Sequence, residues 1–174
     1  GERLGLIGLS GKTEFPHLHL TLRQNDTPRD PFAPATATCP PNPAAQLWQT
    51  AISYAPAGLL AAGLSIDPPD YAAVKAGLPQ PDTLPAKAPQ LIVWSYGWGT
   101  EAGDVLALSL SGPQGFTFHH DATIERAQAL FYRYAGQRIP SPQGWPQGSY
   151  TLTATLIRNG AELDRETLRL SVEN

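Results

Sequence analysis

Two histidines, His17 and His19, are the side chains of this chain best placed to do chemistry. They lie in the alternating run Pro16-His17-Leu18-His19-Leu20-Thr21-Leu22-Arg23, a pattern that favours a β-strand. Side chains two apart on a strand share a face, so both imidazoles would lie beside Thr21 and Arg23, with the intervening leucines facing a core. Imidazole nitrogens are common zinc ligands. A histidine pair on a strand can equally be a plain polar face, so the neighbouring residues decide between the two interpretations.

The elements on either side would position these histidines. Upstream, residues 5–13 predict a short strand that ends in the turn Ser10-Gly11. Downstream, Gln24-Asn25-Asp26-Thr27 predicts a turn, and Asp30-Pro31 follows it. The order along the chain is therefore Gly-x-x-Gly-x-Ser-Gly, then Pro-His-x-His on a strand, then a turn and Asp-Pro.

That order resembles the C-terminal end of the M23 peptidase domain, the lysostaphin-type zinc endopeptidases. The resemblance implies that His19 is a zinc ligand. It also implies that His17 is the catalytic histidine, which positions the attacking water and steadies the developing oxyanion. Asp30-Pro31 would close the domain. A hydrolytic zinc lowers the pKa of its bound water and polarises the scissile carbonyl.

The chain departs from the family pattern in two respects. The family's other zinc ligands come from an upstream histidine and a His-x-x-x-Asp segment, and no histidine here is followed by Asp at that spacing. Position 21 is Thr, where the family more often has Glu. A catalytic zinc needs about three protein ligands and an open position. The zinc site is therefore expected to be incomplete in this chain, with its remaining ligands on a missing N-terminal part of the same protein. The absence of methionine agrees with that expectation.

Composition narrows the possible partners. The formal net charge is −3 and no Lys/Arg cluster occurs, which argues against a nucleic-acid-binding surface. No apolar run approaches the roughly 20 residues that a membrane-spanning helix needs. Cys39 is the only cysteine, so no internal disulfide can form, although it could pair with a cysteine on the missing part.

The sequence predicts a mainly β fold in three parts. Residues 1–38 form the C-terminal segment of the peptidase-like domain, a partial antiparallel β segment. Residues 39–89 form a proline-rich connecting segment with short strands and a helical turn or two capped by Asp70. Residues 90–174 form an immunoglobulin-like β-sandwich of short antiparallel strands, in which Asn159-Gly160 marks a hairpin.

Aromatic residues carry a second, looser resemblance. The phrase Trp145-Pro146-Gln147-Gly148-Ser149-Tyr150 is similar to the entry of a late strand in immunoglobulin-like modules of bacterial surface and periplasmic proteins. There the Tyr150 hydroxyl would bond back to a loop. Trp94, Tyr96 and Trp98 alternate along one strand and are expected in the sandwich core, the alternative being a platform on which sugar rings stack.

These observations give one leading function and two alternatives. The leading function is the C-terminal portion of a zinc metalloendopeptidase that cleaves bacterial peptidoglycan peptides, in the periplasm or outside the cell, and is inactive as this chain alone. The first alternative is a non-catalytic envelope module that binds or activates another protein. The second is a carbohydrate-binding module that uses the Trp94 and Trp98 face.

Overall fold

A computed structural model describes residues 2–3, 5–8, 11–12, 17–32, 46–50, 52–53, 55–139 and 141–174. The chain divides into two compact units, Gly1–Tyr54 and Ala55–Asn174. The structure is mainly β, as the sequence predicts. Several sequence features lie outside the described residues, among them Ser10, Pro16, Cys39 and the predicted boundary between residues 38 and 39.

The described part of the first unit contains one antiparallel hairpin. Strand β1, Leu22–Gln24, pairs with strand β2, Thr27–Arg29. The two connecting residues, Asn25 and Asp26, have φ angles of 49° and 60°. Two consecutive residues with positive φ form the type I′ turn that matches the twist of paired strands. The predicted turn is therefore confirmed.

The predicted histidine strand is shorter than expected. Residues 17–21 adopt no regular secondary structure, and pairing begins at Leu22. An extended segment becomes a strand only where a second strand accepts its backbone hydrogen bonds. Among the described residues, β2 supplies that partner only from Leu22 onwards. Leu18 and Leu20, expected to face a core, are 75% and 50% exposed.

The second unit is built from two sheets. One sheet has three antiparallel strands in the order β3-β5-β8, and the other has five in the order β4-β10-β9-β6-β7. All pairs in the larger sheet are antiparallel except β4, which runs parallel to β10. The strands are β3 (Gly58–Ser65), β4 (Thr83–Pro85), β5 (Gln90–Thr100), β6 (Val105–Ser111), β7 (Thr117–Thr123), β8 (Gln128–Arg138), β9 (Gly148–Arg158) and β10 (Ala161–Glu173).

The two sheets form a β-sandwich around a single apolar core. Alternate residues of each strand point inwards, so that Leu64 and Val93 of the smaller sheet and Leu108 and Leu152 of the larger one belong to one buried cluster. Along one edge the sheets are also joined by a hydrogen bond, which the Leu59 amide donates to a carboxylate of β10 over 2.8 Å. Burial of this cluster is the main driving force for folding of the unit.

The sandwich begins earlier than the sequence predicts. Residues 58–65 and 83–85, which the sequence analysis assigns to the connecting segment, provide β3 and β4. Between them lies the short helix α1, Tyr71–Lys75. Its predicted cap is confirmed, since the Asp70 carboxylate accepts a hydrogen bond of 3.0 Å from the Ala73 amide. Proline-rich composition concealed the participation of this segment in the sheets.

Two local predictions in the sandwich are confirmed. Asn159 and Gly160 join β9 to β10 with φ angles of 52° and 77°, again a type I′ turn. Tyr150 is fully buried, and its hydroxyl donates a 2.9 Å hydrogen bond to the Pro146 carbonyl four residues upstream. This tyrosine corner is typical of immunoglobulin-like sandwiches.

Candidate functional site

The candidate site begins immediately before the first hairpin. His17 and His19 lie on the segment that leads into β1, and both side chains are exposed. Arg23, two residues after Thr21, donates a hydrogen bond of 3.1 Å from Nη1 to the carbonyl of Asp26 in the turn. The hairpin therefore fixes the C-terminal end of the histidine segment.

Thr21 holds the ring of His19. The Thr21 hydroxyl oxygen lies 3.0 Å from Nε2 of His19, within hydrogen-bonding distance. This contact agrees with the predicted alternation, in which residues two apart share a side of the chain. One ring nitrogen of His19 is thus engaged by a neutral hydroxyl, and Nδ1 is the other nitrogen of that ring.

The Asp-Pro segment forms a turn of its own. The Asp30 carboxylate accepts a hydrogen bond of 2.8 Å from the amide of Phe32, so it stabilises the local backbone. The carbonyl of Pro31 accepts another of 2.8 Å from the amide of Leu47. The rings of Phe32 and Trp48 lie 5.6 Å apart between centroids. Residues 30–32 are therefore joined to residues 47–48 by specific contacts.

The donor set at this site is smaller than a catalytic zinc requires. Imidazole nitrogens suit zinc, and His19 has the Thr21 hydroxyl beside one of its two ring nitrogens. Within the described part of the chain, no group of three or more His, Cys, Asp or Glu side chains could hold a metal ion. The described residues therefore supply His19 as one imidazole donor, fewer than the roughly three protein ligands of a catalytic zinc.

The second histidine pair is arranged as adjacent strand residues require. His119 and His120 follow one another in β7, so their side chains lie on opposite faces. Nε2 of His119 instead contacts the Asp121 carboxylate, two residues away, at 3.0 Å. Both side chains are more than half exposed, so this contact adds little to stability.

His119 also borders a shallow groove that the sequence did not indicate. The groove has a volume of about 350 Å³ and crosses the outer face of the larger sheet. Small side chains such as Ala107 and Ser109 form its floor, and Arg165 and Glu162 form its far wall. Only strand order brings these residues together, because β6 and β10 are separated in sequence.

A buried ion pair is the strongest electrostatic feature of the sandwich. Arg158 donates two hydrogen bonds of 2.8 Å, from Nε and Nη2, to the two carboxylate oxygens of Asp104, whose side chain is only 1% exposed. The hydrogen bonds from Arg158 hold the pKa of Asp104 below its usual value. A third bond of 2.8 Å reaches this carboxylate from the Glu101 amide. The network joins the β5–β6 turn to the end of β9.

Two of the three alternating aromatic residues of β5 are covered. Trp94 and Tyr96 are 1% and 4% exposed, but they lie on the outer face of the smaller sheet, outside the core between the sheets. Helix α1 packs on them, with Tyr71 edge-on to Tyr96. Tyr132 anchors this cover, since its hydroxyl donates a 3.0 Å hydrogen bond to the Pro69 carbonyl. The burial predicted for Trp94 and Tyr96 is confirmed, but Trp98 is only partly buried. The predicted place of Trp94 and Tyr96, in the core between the sheets, is wrong.

Comparisons with known proteins give little beyond this geometry. No family model matches the chain, and no curated protein matches it. A solved structure that resembles it is a β-glucuronidase of Bifidobacterium dentium, with a TM-score of 0.39 and 17% sequence identity. The match covers 68% of this chain and 18% of the glucuronidase chain, so this chain spans less than a fifth of that enzyme. Among the described residues, no helix is long and apolar enough to cross a membrane.

Proposed function

We propose that these residues form the C-terminal portion of a zinc metalloendopeptidase, similar to the M23 family, that cleaves peptides of bacterial peptidoglycan. The enzyme would act in the periplasm or outside the cell. The observation that carries the proposal is the His17-x-His19 pair, exposed on the segment that enters a tight hairpin, with the ring of His19 held by Thr21. The surrounding order, from Gly8-x-Ser-Gly to Asp30-Pro31, supports the same assignment.

The chemistry assigns different tasks to the two histidines. Bound zinc would supply an activated water and polarise the scissile carbonyl. His19 would contribute one imidazole ligand. His17 would hold the attacking water in position and donate a hydrogen bond to the oxyanion as it develops. One imidazole ligand cannot satisfy a catalytic zinc, so the remaining ligands would come from the rest of the parent protein, meaning the full polypeptide to which these residues belong.

The apolar side of the histidine segment supports an origin in a larger domain. Leu18 and Leu20 alternate with the histidines, and they are 75% and 50% exposed. Leucine side chains at alternate positions are typical of a strand with one face against a core. Further strands of a peptidase domain would cover these leucines and would extend the pairing that begins at Leu22. The β-sandwich would then position that domain on the cell wall or on a partner protein.

Zinc content of the parent protein tests the proposal. We expect about one zinc per chain, measured by elemental mass spectrometry after dialysis against metal-free buffer. The variant His19→Ala should lose this zinc, whereas His17→Ala should keep it and lose hydrolysis of peptidoglycan peptides. His119→Ala is the matched control, because its imidazole is exposed on the sandwich and bonded to Asp121.

The same measurement separates the proposal from its main alternative. A parent protein that binds no zinc, or that keeps its zinc in His19→Ala, would contradict the peptidase assignment. A metal-free parent would instead favour the non-catalytic envelope module, in which the β-sandwich recruits or activates another protein. In that case neither histidine substitution should alter the binding of that protein.

A further inference from the structure

The groove on the outer face of the larger sheet is built by four strands in register. Thr155 of β9 lies between Ala107 of β6 and Arg165 of β10. In the next row of the sheet, Ser109 of β6 lies beside His119 of β7. Short side chains therefore occupy the two central strands and long ones the two flanking strands, which gives the groove a floor and two walls. Because neighbouring strands lie about 4.8 Å apart, the walls are roughly 14 Å apart.

The Thr155 hydroxyl faces this groove without a partner. Thr155 is 8% exposed and lines the floor. Among the described residues, no group donates a hydrogen bond to its hydroxyl or accepts one from it. The neighbouring Ser109 hydroxyl, by contrast, donates a 3.3 Å hydrogen bond to the Thr153 carbonyl. Since most buried polar groups are hydrogen-bonded, we expect the partner of the Thr155 hydroxyl to be a molecule that enters the groove.

The two walls carry paired charges. On β10, Nε of Arg165 donates a 3.1 Å hydrogen bond to the Glu162 carboxylate. On β7, Nε2 of His119 lies 3.0 Å from the Asp121 carboxylate. Each wall therefore offers hydrogen-bonding groups whose charges are already compensated. Such walls favour a neutral ligand that both donates and accepts hydrogen bonds over a phosphate or a free carboxylate.

The groove lacks the features that other classes of ligand use. The described residues that line it include no Phe, Tyr or Trp ring on which a base or another flat ligand could stack. An extended peptide adds to a sheet through the backbone groups of an edge strand. Strands β6 and β9, which form the floor, are instead paired on both sides. The hydroxyls of the floor match a ligand that is itself rich in hydroxyl groups.

We infer that this groove binds a neutral saccharide chain, the N-acetylated glycan strand of peptidoglycan. Each sugar hydroxyl donates and accepts, as the Thr155 hydroxyl can, and neighbouring hydroxyls of a ring match the paired polar atoms of Glu162 and Arg165. The side chains of Ala107 and Ile157 offer the acetamido methyl group an apolar contact. The choice of peptidoglycan as the source of the glycan rests on the proposed function, whereas binding in the groove does not require zinc.

Two substitutions remove polar groups from the groove. Thr155→Val keeps the branched shape, and loss of one hydrogen bond should weaken saccharide binding by about 2- to 10-fold. Its stability should equal or exceed that of the wild type, because a methyl group replaces an unpartnered hydroxyl. Arg165→Met removes a donor from an exposed position of the wall and should also weaken binding. Thr151→Val is the matched control, because Thr151 lies on the same face of β9 but outside the groove.

The test titrates the ¹⁵N-labelled chain with a soluble N-acetylglucosamine oligosaccharide and follows the backbone amide resonances. We expect saturable shifts confined to the strands that form the groove. The dissociation constant should be on the order of 1 mM, because each hydrogen bond to the sugar replaces one to water. A glucose oligosaccharide, which lacks the acetamido groups, should bind more weakly.

Several outcomes would overturn the inference. These are the absence of saturable shifts up to roughly 10 mM saccharide, shifts confined to another surface, and equal binding of the two oligosaccharides. Unchanged affinity in Thr155→Val or Arg165→Met would also overturn it, as would an equal loss in Thr151→Val. Failure of the groove while zinc is bound at His19 would leave the peptidase proposal standing. Saccharide binding by a parent protein without zinc would refute that proposal and retain the binding groove.

Discussion

Replacing Arg158 by Met should destabilise the β-sandwich strongly at neutral pH. Methionine keeps much of the length and apolar character of the arginine stem but removes the guanidinium. The Asp104 carboxylate, 1% exposed, would lose its two 2.8 Å bonds to Nε and Nη2. It would keep the bond from the Glu101 amide. The variant therefore leaves a buried negative charge without its cation.

The size of the effect follows from that geometry. Removing one partner of a buried ion pair typically costs about 3–5 kcal/mol, because the remaining charge is desolvated and uncompensated. At about 4 °C per kcal/mol for a domain of this size, the melting temperature should fall by roughly 12–20 °C. The double variant Arg158→Met/Asp104→Asn should be less unstable than Arg158→Met alone, because it no longer buries an ionised group.

The pH dependence of the effect identifies the ion pair as its cause more specifically than the loss of stability alone. In the wild type the hydrogen bonds from Arg158 lower the pKa of Asp104 in the folded state. A lowered folded pKa contributes stability that is present above the unfolded pKa, about 4, and is lost as the pH falls through the folded pKa. In Arg158→Met, burial should instead raise the pKa of Asp104, so acidification should reduce the charge penalty. The difference in unfolding free energy between the two proteins should shrink as the pH is lowered.

Urea denaturation monitored by tryptophan fluorescence, at pH values from 7 to 4, measures this difference. Arg165→Met is the matched control, because Arg165 bonds to Glu162 on the exposed surface of the neighbouring strand and should change stability little. A loss below about 1 kcal/mol in Arg158→Met at pH 7 would refute the assigned role of the ion pair. So would a difference from wild type that is the same at every pH.

Two further predictions concern tyrosines of the sandwich. Tyr150→Phe deletes the hydroxyl that bonds to the half-buried Pro146 carbonyl and should lower the unfolding free energy by about 1 kcal/mol in a denaturation experiment. The control is Tyr134→Phe, because Tyr134 is half exposed. Equal stability of the two variants would contradict the stabilising role of the Tyr150 hydrogen bond. Burial, with smaller contributions from Tyr134 and Asp70, raises the pKa of Tyr132 to about 12. The folded state then holds its phenolic proton more tightly than the unfolded state, so the unfolding free energy should fall as the pH rises from about 10 to 12. Phenolate absorbance should show a late-titrating tyrosine that disappears in Tyr132→Phe, and an unchanged titration would contradict this assignment.

The features of the candidate site that depend on the spacing of residues along the chain were predictable from the sequence. Alternation placed His19 and Thr21 on one side of the chain, and their 3.0 Å contact agrees with it. The turn at Asn25-Asp26 followed from residues that tolerate positive φ. The length of strand β1 could not be predicted, because a strand extends only where a second strand pairs with it. Residue alternation does not identify that second strand. The zinc assignment and the role of His17 stay predictions.

In the sandwich, sequence reasoning succeeded where a few neighbouring residues determine the structure. Asp70 caps α1, and Asn159-Gly160 closes a hairpin, because each uses only contacts within a few residues. It failed where distant strands meet. The aromatic residues Trp94 and Tyr96 alternate as core residues do, but alternation cannot say which face lies against the other sheet and which lies under α1.

The sequence by itself determined the mainly β class, the tight turns, the helix cap and the shared side of His19 and Thr21, since backbone conformation and side-chain alternation are local properties. Only the tertiary structure decided that β3 and β4 join the sandwich and that α1 covers an aromatic sheet face. It also paired Arg158 with Asp104 across more than fifty residues of chain. These arrangements depend on which apolar faces pack against each other on folding, and the packing of the whole unit determines that.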